Sequence, residues 1–102
     1  MGVNPQYQPI YDQAKQMQYR FNDLLGHENP TAHVLHQEMH QLVNDIELNK
    51  HPRDIEGRIK VIQNQMHQVE HQGQNLMTYG HAEQIHHNFE NMRQEVRHFG
   101  NY

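Results

Sequence analysis

Histidine is the side chain with the most chemistry to offer in this chain. Eleven of the 102 residues are histidine, beside eight lysines and arginines and twelve aspartates and glutamates. Imidazole is the only side chain whose unperturbed titration, near pH ~6.5, falls in the physiological range, and the neutral ring is a common metal ligand. Protonating all eleven rings would carry the formal net charge from −4 to +7. His33, His36 and His40 recur at spacings of three and four, which places them within a ~60° arc on one helix face. By the same rule His67, Glu70 and His71 share a face. The reading is a nitrogen/oxygen site of His33, His36, His67 and Glu70, with His40 and His71 as alternates. Zinc, nickel or copper(II) suits such ligands. Proton sensing is the other use of these residues, since protonated rings crowded on one face repel.

Other chemistry is thin. Cysteine and serine are absent, and the only threonines are Thr31 and Thr78. No glycine-rich phosphate loop and no nucleophile–base pair can be assembled, so the expectation is a non-enzymatic protein without a built-in cofactor. The run His36-Gln37-Glu38-Met39-His40 has glutamine where a zinc-protease helix needs glutamate directly after its first histidine. Glu83-x-x-His86 matches half of a di-iron bundle motif, but the inward positions around it are apolar. A negative net charge with scattered Lys15, Arg20, Lys50, Arg53, Arg58, Lys60, Arg93 and Arg97 speaks against nucleic acid. No apolar run approaches the ~18 residues of a membrane span. Met1 to Pro5 lacks the basic start and apolar stretch of a signal peptide, so the default expectation is a cytoplasmic setting, with non-classical export as the alternative.

The elements that must position these residues are helices. Asn4-Pro5 and Asn29-Pro30 each read as an N-cap followed by proline at the first helical position. Asn49-Lys50-His51-Pro52 stops one helix and starts the next, while Gly26, Gly80 and Gly100 serve as C-terminal stops. The predicted helices are roughly 5–25, 30–49, 52–79 and 81–99. Each carries a narrow apolar seam at spacings of three and four. The seams are Tyr7, Ile10, Ala14, Met17, Phe21 and Leu24; Ala32, Leu35, Met39, Leu42 and Ile46; Ile55, Ile59, Ile62, Met66, Val69, Gly73 and Leu76; and Ala82, Ile85, Phe89, Met92, Val96 and Phe99. Four such seams joined by short turns predict an all-α, antiparallel, up-down-up-down four-helix bundle in one domain over 1–102. Met17, Met39, Met66 and Met92 could serve copper(I), but all four fall on the core period, where methionine fills gaps.

Short turns then set the pairing. Across the first turn Ile10 meets Ile46, Ala14 meets Leu42 and Met17 meets Met39; across the second Ile46 meets Ile55, Leu42 meets Ile59 and Met39 meets Ile62. With Gly80 as the third turn, Leu76 meets Ile85, Gly73 meets Phe89, Val69 meets Met92 and Met66 meets Val96. In that register the third and fourth helices outrun the first pair by about two turns. Their tip, with Leu76, Met77, Tyr79, Ile85 and Phe89, is left without an internal partner, as expected of a surface for self-association, such as a homodimer, or for a protein partner. The alternative is a third helix that breaks at Gly73.

Overall fold

In the computed structural model the backbone is described for residues 2–24, 30–71 and 79–100, and side chains for 2–20, 33–68 and 83–99. The described residues form four α-helices and no strand: α1 (Gln8–Leu24), α2 (Pro30–Glu47), α3 (Pro52–His71) and α4 (Tyr79–Gly100), with a 3-10 turn, Pro5–Tyr7, leading into α1. The fold is a small all-α bundle.

Local chemistry places the start of the chain's first helical turn and the α2–α3 turn where the punctuation implies. The Asn4 side chain accepts from the backbone N–H of Gln6 at 3.1 Å, capping the 3-10 turn. Asn49 closes α2 in the left-handed region, at φ 53°. Its N–H donates to the Ile46 carbonyl and that of Lys50 to the Asp45 carbonyl, at 2.9 and 3.1 Å. This is the paired 5→2 and 6→1 pattern of a Schellman stop, with asparagine standing where glycine is usual. His51 caps α3: its Nδ1 accepts from the Arg53 N–H at 3.1 Å, ahead of Pro52 at the first helical position. The Asn49 side chain also ties down the chain start, accepting from the Asn4 N–H at 2.7 Å and donating to the Gly2 carbonyl at 3.3 Å.

Hydrogen bonds between helices fix the register. Tyr11 meets Glu47 and Gln18 meets His40, so α1 and α2 run antiparallel. Arg58 of α3 reaches Asp45 and Glu38 of α2. Gln63 meets Glu90, and the His67 ring stacks on that of His86, so α3 and α4 are antiparallel as well. Gln13 meets Glu95, and Asn88 donates to the Met17 sulfur, which sets α4 against α1. Stepping along the seams from these bonds, the buried side chains fall into levels: Ile10, Ile46, Ile55 and Val96; Ala14, Leu42, Ile59 and Met92; Met17, Met39, Ile62 and Phe89; Leu35, Met66 and Ile85. Every one is at most 2% exposed. At the end nearest the α2–α3 turn, Tyr7 packs on Phe99 with ring centres 6.2 Å apart and donates its hydroxyl to the Lys50 carbonyl.

The first two pairings agree with the sequence reading and the third does not. Gly80 lies inside α4 rather than at a turn, and Tyr79 opens α4 rather than ending the third helix. His67 faces His86 and Gln63 faces Glu90, where the Gly80 turn would have set His67 near residues 94–95. The slip is more than two helical turns, roughly 13 Å along the axis at 1.5 Å per residue. Burial decides it. A glycine inside a helix costs about 1 kcal/mol, whereas sheltering Ile85 and Phe89 is worth roughly 1.5–3 kcal/mol each. Gly73 and the rest of 72–78 lie outside the described residues.

Phe89→Ala tests this register. A ring sealed at the level of Met17, Met39 and Ile62 should lose about 3–5 kcal/mol of stability on truncation, read as a lower urea midpoint. A phenylalanine on an open tip would cost less than about 1 kcal/mol, and that result would restore the Gly80 turn.

Candidate functional site

Each helix presents two flanks beside its seam, and the bundle assigns them different neighbours. The residues directly after seam positions face across α1–α2 and α3–α4. These are Tyr11 and Gln18 with Glu47 and His40, and Glu56, Gln63 and His67 with His86, Glu90, Arg93 and Arg97. The residues directly before seam positions face across α2–α3 and α4–α1: Glu38 and Asp45 with Arg58, and Gln13 with Glu95. The handedness of the bundle makes this division.

It separates the histidines proposed as metal ligands. His40 lies on the α1 side of α2, with its Nδ1 3.4 Å from the Gln18 amide nitrogen. His33 is exposed and bonds Gln37 one turn along its own helix at 3.2 Å. His36 is half-buried and borders a shallow groove of about 650 Å³ with Gln37, Glu38, His40, Gln41 and Arg58. His67 turns the other way, toward α4, where its ring stacks on His86 with centroids 4.6 Å apart and planes 19° from parallel. The side chains of Glu70 and His71 lie outside the described residues. Among the described residues no three histidine, aspartate or glutamate side chains gather for a metal ion. The structure therefore does not bring His33, His36 and His67 together, because His67 occupies the flank that faces away from α2.

The tip residues divide similarly. Ile85 and Phe89 are fully buried core residues and offer no exposed contact, a direct consequence of the α3–α4 register. Leu76 and Met77 lie outside the described residues, and of Tyr79 only the backbone, at the start of α4, is described. Among the described residues the exposed large apolar side chains, Tyr19, Val34, Leu48 and Val61, are spread over α1, α2, the α2–α3 turn and α3. Single exposed apolar residues of this kind are ordinary. No described helix is long and apolar enough to cross a membrane.

Two charged seams lie along the flanks of α3. On the α2 side, Arg58 Nη1 donates to Glu38 at 2.7 Å and Nε to the buried Asp45 at 3.3 Å, and Lys50 Nζ comes within 3.4 Å of the same aspartate. The bond to Glu38, followed by that to Asp45, raises the guanidinium pKa further. On the α4 side, the buried Glu56 lies 3.5 Å from Arg97 Nε and 3.9 Å from Arg93 Nη1. Arg93 also forks onto Glu90, which accepts in addition from Gln63 at 3.1 Å and Gln94 at 3.2 Å. The Arg93 bond first, and Gln63 next, hold the Glu90 carboxyl down to about 2, well below the ordinary 4.5. The sequence signal for both seams was present as opposite charges on the flanks, but which flanks meet required the bundle's hand.

Because Glu90 is depressed in the folded state, its contribution is complete above about pH 4.5 and disappears as pH falls toward 2. Its side chain is 41% exposed, so solvent screening keeps the effect small. Urea midpoints measured from pH 5 to pH 2 should fall more steeply in the wild type than in Glu90→Gln; parallel curves would contradict the assignment. Comparison of the chain with protein-family models, with curated proteins and with solved structures finds no match.

Proposed function

We propose that this chain is a non-enzymatic helical module that binds a second copy of itself through the segment joining α3 to α4. The observation that carries the reading is the placement of Ile85 and Phe89, which are sealed in the core; of the apolar residues around the α3–α4 connection, that leaves Leu76, Met77 and Tyr79 as the candidates for an outward contact. Three such residues within four positions are a concentrated apolar signal in a chain only 34% hydrophobic. The polar side chains support the non-enzymatic half: Glu38, Asp45, Arg58, Glu56, Glu90 and Arg93 are spent on holding helices together. Light scattering on tag-free protein over a range of concentrations should give a dimer mass that falls to the monomer in Met77→Asp/Tyr79→Asp, with the melting midpoint kept within a few degrees. A wild type that stays monomeric at every concentration would remove self-association and leave a different protein as the partner to seek.

One observation favours a second reading, a bundle that answers to protons through its histidines. The His67 and His86 rings stack with centroids 4.6 Å apart, and two imidazolium cations at that separation would repel. The melting midpoint should drop between pH 7 and 5, and His86→Gln should reduce that drop; equal drops in both proteins would end this reading.

A further inference from the structure

We propose that His67 and His86 form a two-point clamp for a divalent transition-metal ion of the zinc, nickel or copper(II) class, bridging α3 and α4 with solvent completing the coordination. The proposal rests on the histidine reading above and names the ligand of the same pair. The two imidazoles come from adjacent antiparallel helices, at the flank positions that face one another, with centroids 4.6 Å apart. A shared ion needs each ring nitrogen about 2.0–2.1 Å from the metal, which sets the two nitrogens roughly 3–3.5 Å apart. Rotation about the Cβ–Cγ bonds, a broad and soft torsion in histidine, is the movement that would aim one nitrogen of each ring at a common point between rings this close. His67 is exposed and His86 half-buried, so the site opens to solvent on one side, which supplies both an entry path and the water ligands.

The chemistry selects the ion. Neutral imidazole suits zinc, nickel and copper(II), and not the oxygen-seeking magnesium or calcium. Two protein ligands make a site of micromolar rather than nanomolar strength. They nevertheless give the metal a specific mechanical effect. An ion held by both rings fastens α3 to α4 next to the segment that joins them, and it favours the folded chain because the unfolded one presents the same rings far apart. Protons compete for the same nitrogens, so binding weakens as pH falls through the imidazole range.

The experiment is titration of tag-free protein at pH 7.5 with zinc chloride and, separately, nickel chloride, followed by calorimetry and by the melting midpoint. The expected result is saturable one-to-one binding with a rise of several degrees in the midpoint at saturation. Both should be lost in His67→Gln and in His86→Gln, and kept in His36→Gln and His40→Gln. The unliganded midpoints of all four variants at pH 7.5 should lie within a few degrees of the wild type, which shows that they fold. Absence of saturable binding would overturn the clamp. So would binding that survives His86→Gln but not His67→Gln, which would assign the ion to His67 and a residue of its own helix such as His71. Dependence of binding on His36 or His40 would overturn it equally. The acid sensitivity of the metal-free protein, compared between wild type and His86→Gln, reports on the proton reading alone, so the two can fail separately.

Discussion

Glu56 is buried, and it can stay buried only where a cation comes within reach. That requirement sets how far α4 slides along α3. Glu56 lies 3.5 Å from Arg97 and 3.9 Å from Arg93; sliding α4 to the register of a Gly80 turn would carry both groups roughly 13 Å along the axis and strand the carboxylate. Leaving one member of a buried pair uncompensated costs about 3–5 kcal/mol. Apolar levels are more forgiving, because isoleucine, methionine and leucine can replace one another at modest cost. The division of labour follows. The seams supply most of the stabilisation, while Glu56 against Arg93 and Arg97, and Asp45 against Arg58 and Lys50, select the one register in which seams and charges are satisfied together.

The α2–α3 end of the molecule shows the same economy by other means. Asn49 is one residue with three tasks: it takes the left-handed conformation that ends α2, accepts from the Asn4 N–H and donates to the Gly2 carbonyl. A glycine would meet the first requirement and neither of the others. Tyr7 completes this end by burying its ring beside Phe99 while its hydroxyl reaches the Lys50 carbonyl. Burial pushes that phenol above its ordinary pKa, so it stays protonated and a hydrogen-bond donor at neutral pH. The chain start is thereby fastened to a turn more than forty residues away in sequence.

Much of this was legible before any coordinates. The asparagine–proline starts, the Asn49 stop and the spacing of the seams are local signals, and local signals fix helix identity and the pairing of helices joined by tight turns. Two features were not legible, for different physical reasons. Gly80 is an acceptable stop on propensity alone; its place inside α4 depends on Ile85, Phe89 and Glu56, which lie up to 33 residues apart in the sequence and act only once the helices pack. Sidedness was the other. A seam pattern is nearly the same viewed from left or right, so it cannot say whether His67 looks toward α2 or α4. Charge complementarity could have said so: Arg58 precedes Ile59 and finds Glu38 and Asp45, each also preceding a seam residue, whereas Glu56 and Gln63 follow seam residues and find Glu90, Arg93 and Arg97 on the same kind of flank.

The α3–α4 seam changes character along its length, and the change bears on both functional readings. It begins near the α2–α3 turn with a buried carboxylate held by two arginines, passes to Gln63 and Glu90, and reaches two stacked imidazoles. The first of these contacts is permanent at any pH that leaves carboxylates ionised. The last would respond to a proton or a metal ion at the ring nitrogens. Of the described seam contacts, that of His67 and His86 is the last before the α3–α4 connection: His67 lies one turn from the end of α3 at His71, and His86 two turns from the start of α4 at Tyr79. A change in the histidine contact therefore acts beside the segment that carries the proposed contact residues. The two readings converge on one end of the bundle, with the opposite end, around Asn49 and Tyr7, as the anchored reference.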